Sequence, residues 1–351
     1  MSKLTPPSRL VFLDVLRLVA AVQMVQGHSV AAVLAPAYRH GLAYAVWTFA
    51  RGLTSVLFLT SAGLAFVLAE GRASEPRARR RRALRALRLV AIGYAMHAPL
   101  GLLVGLPLAR TLASALVVDV LQCIGVSLLL LELLSAAAHD RQLRALLALG
   151  LAALCFGAAP LLAGQRFEGA SLLLGNYVNT RHGSLFPLLP WAGYVFAGFG
   201  LGSLFLAQRV RLPWLLLASG LATLVVGLAL LRIEPVLPLG VSPGYAAVKL
   251  GCVLLLAGAL AQALRGVERL PRLLALLASE TLFLYVSHVV LLYADGLGLA
   301  WQLGERHGPT FGVALALGLL VACSAAALGF RRLVRSLRSA NRGSTRGAQL
   351  P

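Results

Sequence analysis

Apolar residues run along the chain in ten long stretches, broken by short connectors that carry Pro or Gly. A hydrocarbon core about 30 Å thick needs about 20 apolar helical residues to cross it. Segments near 11–34, 47–69, 87–106, 112–135, 143–163, 185–207, 213–231, 244–264, 273–294 and 310–331 meet that length. Pro36, Pro107, Pro213, Pro243, Pro271 and Pro309 punctuate the gaps, where a fixed φ and a missing N–H end a helix. The longest connector, about 164–184, holds Asn176, Asn179, Arg181 and His182. The pattern predicts an all-α, polytopic transmembrane helix bundle of about ten spans. It forms one domain over 1–335, followed by a disordered basic tail at 336–351. Ala35-Pro36-Ala37 mimics a signal-peptide cleavage site. The apolar run before it is too long, and Asp14, Arg17, Gln23, Gln26 and His28 interrupt it, so a retained first helix is expected.

Composition sharpens this picture. Of the 351 residues, 59% are apolar and 13% charged, against about 45–50% and about 25% in soluble domains. That excludes an ordinary water-soluble fold and a disordered chain. The net charge is +20, from 32 Lys+Arg and 12 Asp+Glu. Such a balance also occurs in nucleic-acid-binding proteins. Here the basic residues sit between apolar runs, so membrane lipids and not nucleic acid are the expected partners. The two ends and alternate loops carry 23 of the Lys/Arg residues, whereas the other five connectors and their flanks hold seven. Cationic loops stay on the cytoplasmic side, so both termini are expected inside a bacterial-type inner membrane. The four cysteines, Cys123, Cys155, Cys252 and Cys323, lie in apolar runs without a C-x-x-C pair. They read as small buried hydrophobes, with neither a disulfide framework nor a zinc site.

Ionisable groups inside hydrocarbon cost several kcal/mol and ask for a reason. The first span carries Asp14, Arg17 and His28. Arg17 and His28 are eleven residues apart, so they share a face within about 20° and lie about 16 Å apart along the axis. Asp14 falls near the same stripe. That geometry suits a long, thin ligand with an anionic head at Arg17 and a reactive tail near His28, and an acyl-CoA has this shape. The alternative is an Asp14–Arg17 ion pair at a helix end, with His28 bonded to nearby backbone. The run Arg79, Arg80, Arg81 and Arg82 is either a topology anchor against anionic lipid or an attractor for the same anionic cofactor. Further polar residues fall into two layers. The inner one holds Asp14, Arg17, Glu280 and Glu132. The outer one holds His28, Asp119, Gln122, His288 and Trp191. Tyr285 and His288, three apart, are face neighbours. His97 lies near mid-depth. Each of these also has a structural explanation as an interhelical hydrogen bond.

RLVFLDVLRLVAAVQMVQGH (9–28) resembles the first helix of the polytopic membrane acyltransferases, which comprise the type-3 acyltransferases and the heparan-alpha-glucosaminide N-acetyltransferase catalytic domains. The matching pattern is an Asp, an Arg on the next turn and a His further in, here Asp14, Arg17 and His28. LFLTSAGLAFVLA (57–69), VVDVLQCIGVSLLL (117–130), SLFPLLPWAGYVFAGFGLG (184–202) and SETLFLYVSH (279–288) are similar to later blocks, in order. Leu18 departs from the family's usual Gly. The glucosaminide branch often has Asn where His28 stands and a catalytic His in the following outer loop, where His40 is the nearest match. The resemblance implies an acyltransferase that takes acetyl-CoA or another acyl-CoA from the cytoplasm and modifies a carbohydrate hydroxyl or amine on the periplasmic side. It implies His28 as general base or transient acyl carrier, with His40 as the competing histidine. Asp119 or His288 would orient the base, Arg17 would bind the donor, and Trp191, Gln122 and Tyr285 would line the acceptor side. An imidazole's ordinary pKa near 6.5 suits either role.

No G-x-S-x-G, P-loop, G-x-G-x-x-G after a strand or H-E-x-x-H occurs, so hydrolase, nucleotide-driven pump and zinc protease lack their usual marks. Two rivals remain on sequence grounds. One is a multi-pass transporter or flippase, with Pro187 and Pro190 marking a broken helix. The other is an inactive relative that keeps the fold.

Overall fold

The computed structural model describes residues 10–71, 75–98, 102, 103, 105, 107, 108, 114–294 and 296–347, with side chains characterised as far as Ser336. It is an all-α bundle: α1 Val11–Val33, α2 Gly41–Glu70, α3 Pro76–Met96, α4 Val120–Ala137, α5 Arg141–Leu162, α6 Leu172–Val178, α7 Leu188–Phe205, α8 Leu212–Ile233, α9 Pro243–Ala263, α10 Arg272–Ser279, α11 Thr281–Tyr293, α12 Leu299–Leu303 and α13 Pro309–Gly347. Among the described residues, eight helices are long and apolar enough to cross a membrane, or nine when α10 and α11, bent by 64°, count as one span. The chain is a multi-pass membrane protein.

Three boundaries differ from expectation. The fourth span was expected over 112–135, but α4 begins at Val120 because Asp119 caps it. The Asp119 side chain accepts from helix N–H groups, while Gln122 Oε1 accepts the Asp119 N–H at 3.2 Å. This is a capping box, in which each partner satisfies the other's orphan donor. The third expected span, 87–106, is covered by α3 only to Met96. Beyond it lie residues partly outside those described. The expected disordered tail at 336–351 is also revised. The backbone of α13 stays helical to Gly347. Residues 348–351 lie outside those described.

Glycines set how closely the central helices approach. A Cβ on Gly63 of α2 would overlap the Val195 carbonyl of α7, and one on Gly198 would overlap the Thr60 carbonyl of α2. Backbones in such contact gain dispersion that side chains at the seam would prevent. On the same principle α8 packs on α9 through Gly220, Gly227, Gly244 and Gly251. The result is a core built mainly from α1, α2, α4, α7 and α9, with Leu16, Leu59, Leu131 and Phe199 fully buried. α8 stands at the rim, with Trp214, Leu221 and Val225 exposed, the surface expected to meet lipid.

The break expected from Pro187 and Pro190 is present at the mouth of α7. Leu189 has non-helical φ −99° and ψ 120°. The connector before it is tied down at both ends. Asn179 Nδ2 donates to Leu162 O and Gln165 O at 2.8 and 2.9 Å. Leu185 and Phe186 N–H both donate to Val118 O at 3.1 Å. These bonds fix Phe186 and Trp191 against the start of α4.

Candidate active site

α1 and α2 wall two cavities stacked along the bundle. The first, about 340 Å³, is lined by Arg17, Arg82 and Arg85 at its polar side and by Phe66, Leu121 and Ile124 among its apolar walls. The second, about 590 Å³, is lined by His28, Arg51, Thr54, His97, Asp119 and Trp191, among others. Phe58, Val120 and Tyr285 line both, so two aromatic rings and a valine stand between the adjacent cavities. Helical rise alone separates Arg17 from His28 by about 16 Å. The expected stripe on α1 therefore faces the bundle interior, with its cation in one chamber and its imidazole in the next.

His28 does not stand alone. Its Nδ1 lies 3.0 Å from His288 Nε2, with the rings stacked at 5.2 Å. His288 is fully buried, and its Nδ1 lies 2.7 Å from Leu284 O. A carbonyl only accepts, so the His288 proton sits on Nδ1 and its Nε2 is a lone pair. That lone pair accepts from His28 Nδ1–H, which leaves His28 Nε2 as a bare acceptor on a residue that lines the cavity. A chain of three groups thus sets one tautomer at the one nitrogen free to work. Tyr293 adds a donation to His28 O at 3.0 Å and an edge-on ring contact at 5.8 Å.

The other expected residues divide. Asp119 lines the second cavity, but its oxygens serve elsewhere. Oδ1 accepts Val120 N–H at 2.6 Å and Oδ2 accepts the Tyr285 hydroxyl at 2.9 Å. Of the two groups expected to orient His28, then, His288 touches it. Gln122 is fully buried, is used by the α4 cap and lines neither cavity. Trp191 lines the second cavity, and Tyr285 lines both. His40 is exposed at the N-cap of α2 and lines neither cavity.

On the inner side, Arg17 lines the first cavity, whereas Asp14 lines a basic cleft of about 1210 Å³ with Arg265, Arg269 and Arg331. Glu280 pairs with Arg331 at 3.0 Å. Of the arginine run, only Arg82 turns inward. Its Nε donates to Glu132 Oε1 at 2.5 Å and its Nη2 to Oε2 at 3.2 Å, a bidentate pair joining α3 to α4. Arg80 and Arg81 are exposed, and neither they nor Arg79 line a cavity.

Sequence reasoning passed over two cations, one lining the second cavity and one behind its wall at Gly52. Arg51 is inside α2, not in a connector, because the helix starts at Gly41. Lys249 is nine-tenths buried in α9. The signal for Lys249 was an ionisable residue in the middle of an apolar span, the test already applied to α1. Among the described residues, no group of three or more His, Cys, Asp or Glu is placed to hold a metal ion.

Residues 9–230 match the family described as heparan-alpha-glucosaminide N-acetyltransferase, catalytic. No curated protein matches the chain.

Proposed function

The chain belongs to the heparan-alpha-glucosaminide N-acetyltransferase catalytic family, and from that premise we propose that it moves an acetyl group from acetyl-CoA to a sugar hydroxyl or amine. The observation that carries this reading is the pair of adjacent cavities that share Phe58, Val120 and Tyr285, with arginines lining one and His28, bonded to His288, lining the other. Arg17, Arg82 and Arg85 hold the donor's phosphates, where charge-assisted hydrogen bonds are strongest. Arg79 and the exposed Arg80 and Arg81 raise the local potential without touching it. On this reading the slender pantetheine arm passes between Phe58 and Tyr285 and brings the thioester beside His28.

The acceptor occupies the second cavity. His28 Nε2 takes the proton from its hydroxyl or amine as that oxygen or nitrogen attacks the thioester carbonyl. The C–S bond then breaks, and the proton passes to the departing CoA thiolate. While His28 is cationic, both ring nitrogens donate, and His288 Nε2 continues to accept from Nδ1. Positioned general-base catalysis of this kind contributes roughly 10²–10⁴-fold. The distribution of Lys and Arg among the loops supports a cytoplasmic arginine end in an inner membrane, with both termini inside. The acceptor then arrives from the opposite, periplasmic face.

The test uses full-length protein in lipid nanodiscs with acetyl-CoA and a panel of sugar acceptors. Wild type releases free CoA only when an acceptor is present. His28→Ala abolishes the release and His40→Ala leaves it. Equal thiol release from wild type and His28→Ala refutes acyl transfer at this site.

A further inference from the structure

The second cavity holds more positive charge than the transfer reaction uses. Arg51 lines it, with its guanidinium 5.2 Å from the Trp47 ring. Lys249 approaches through its wall. Lys249 Nζ stands 4.4 Å from the Tyr245 ring and 5.6 Å from the Trp191 ring. Gly52 lines the cavity, and a Cβ there would come within 3.6 Å of that ammonium. The missing side chain at Gly52 is a window from the cavity to Lys249.

Neither cation has an ion-pair partner among the described residues. The cavity's one carboxylate, Asp119, is already engaged by the α4 cap and Tyr285. Aromatic faces offset part of the cost of a buried ammonium, but charges taken out of water are normally paired. On the same face of α2, one turn from Arg51, Thr54 lines the cavity. It is 6% exposed, and its Oγ1 is buried without a hydrogen-bond partner among the described residues. Two uncompensated cations and an unused hydroxyl, all within reach of one chamber, ask for an anion that the protein itself does not supply.

We propose that Arg51, Lys249 and Thr54 form an anion-recognition subsite, and that the acceptor carries a carboxylate or phosphate beside the hydroxyl or amine that takes the acetyl group. This rests on the acyl-transfer reading for the identity of the ligand as acceptor, though not for the binding itself. The anion sits between Arg51 and the Gly52 window and accepts from Thr54 Oγ1, and the sugar ring lies against Trp191 with its reactive group at His28. The subsite acts on recognition, so its loss raises KM for charged acceptors. A role in steadying the oxyanion of the reaction would lower kcat for every acceptor alike.

The matched probes are glucosamine and glucosamine 6-phosphate, added to full-length protein in nanodiscs. Binding is first read without acetyl-CoA, from the tryptophan fluorescence that Trp191 contributes. Wild type is expected to bind the phosphorylated sugar at least tenfold more tightly. That ratio falls to near one in Lys249→Met and in Arg51→Gln, and survives in Lys249→Arg, which restores the charge. Equal binding of the two sugars by wild type, binding of neither, or an unchanged ratio in both charge-removing variants overturns the proposal. Acetyl transfer is then measured with the same pair. Preferential binding of the phosphorylated sugar without transfer to either supports the subsite and counts against acyl transfer. Transfer to both with the same KM, or variants that lower kcat equally for both, supports acyl transfer and overturns the subsite.

Discussion

His288 gives the sharpest test of the histidine chain. The substitution His288→Met removes the lone pair that accepts His28 Nδ1–H at 3.0 Å. It also fills a fully buried site with an apolar side chain of suitable length. His28 Nδ1–H is then left without its partner, at a cost of about 1–3 kcal/mol. The ring can escape that cost only by moving its proton to Nε2, the atom that must be bare to act as base. At about 1.4 kcal/mol per factor of ten, kcat is expected to fall roughly 5- to 150-fold, with KM for acetyl-CoA unchanged. His288→Gln carries an amide oxygen to about the Nε2 position and can accept the same hydrogen, so it should recover most of the loss. The assay is acceptor-dependent thiol release at saturating acetyl-CoA. If His288→Met stays within twofold of wild type, or if the Met and Gln variants fall equally, the chain does not set the His28 tautomer.

Two further expectations concern stability. Glu132→Leu removes the carboxylate that the buried Arg82 donates to, at about 3–5 kcal/mol. Thermal unfolding in detergent should show the loss, and the double variant Arg82→Met with Glu132→Leu should regain most of it. Gly63→Ala drives a methyl into the Val195 carbonyl and should cost about 1–3 kcal/mol as overpacking, while Gly150→Ala, which meets open space, should be neutral or gain up to about 1 kcal/mol from helix propensity. A fall of the melting temperature for Gly63→Ala no larger than for Gly150→Ala would show that α2 and α7 do not meet as described.

What could be read along the chain was whatever depends on one helix at a time. The spans were legible because bilayer thickness sets helix length. The Arg17–His28 stripe was legible because 3.6 residues per turn puts them on one face, and Tyr285 and His288 were neighbours by the same rule. The Asp119-x-x-Gln122 cap was also written in the sequence, although it was read there as two polar residues within a span. Relations between helices were not legible. Asp14 and Arg17 are one turn apart and serve different cavities, because α1 borders a different set of neighbours at each position. Four consecutive arginines look alike, yet only Arg82 turns inward, because Glu132 waits on α4. The glycine seams, the His28–His288 contact across 260 positions and the opening at Gly52 toward Lys249 follow from how each helix is rotated against the next. That rotation is decided by side-chain packing summed over several neighbours, and no periodicity within a single helix encodes it.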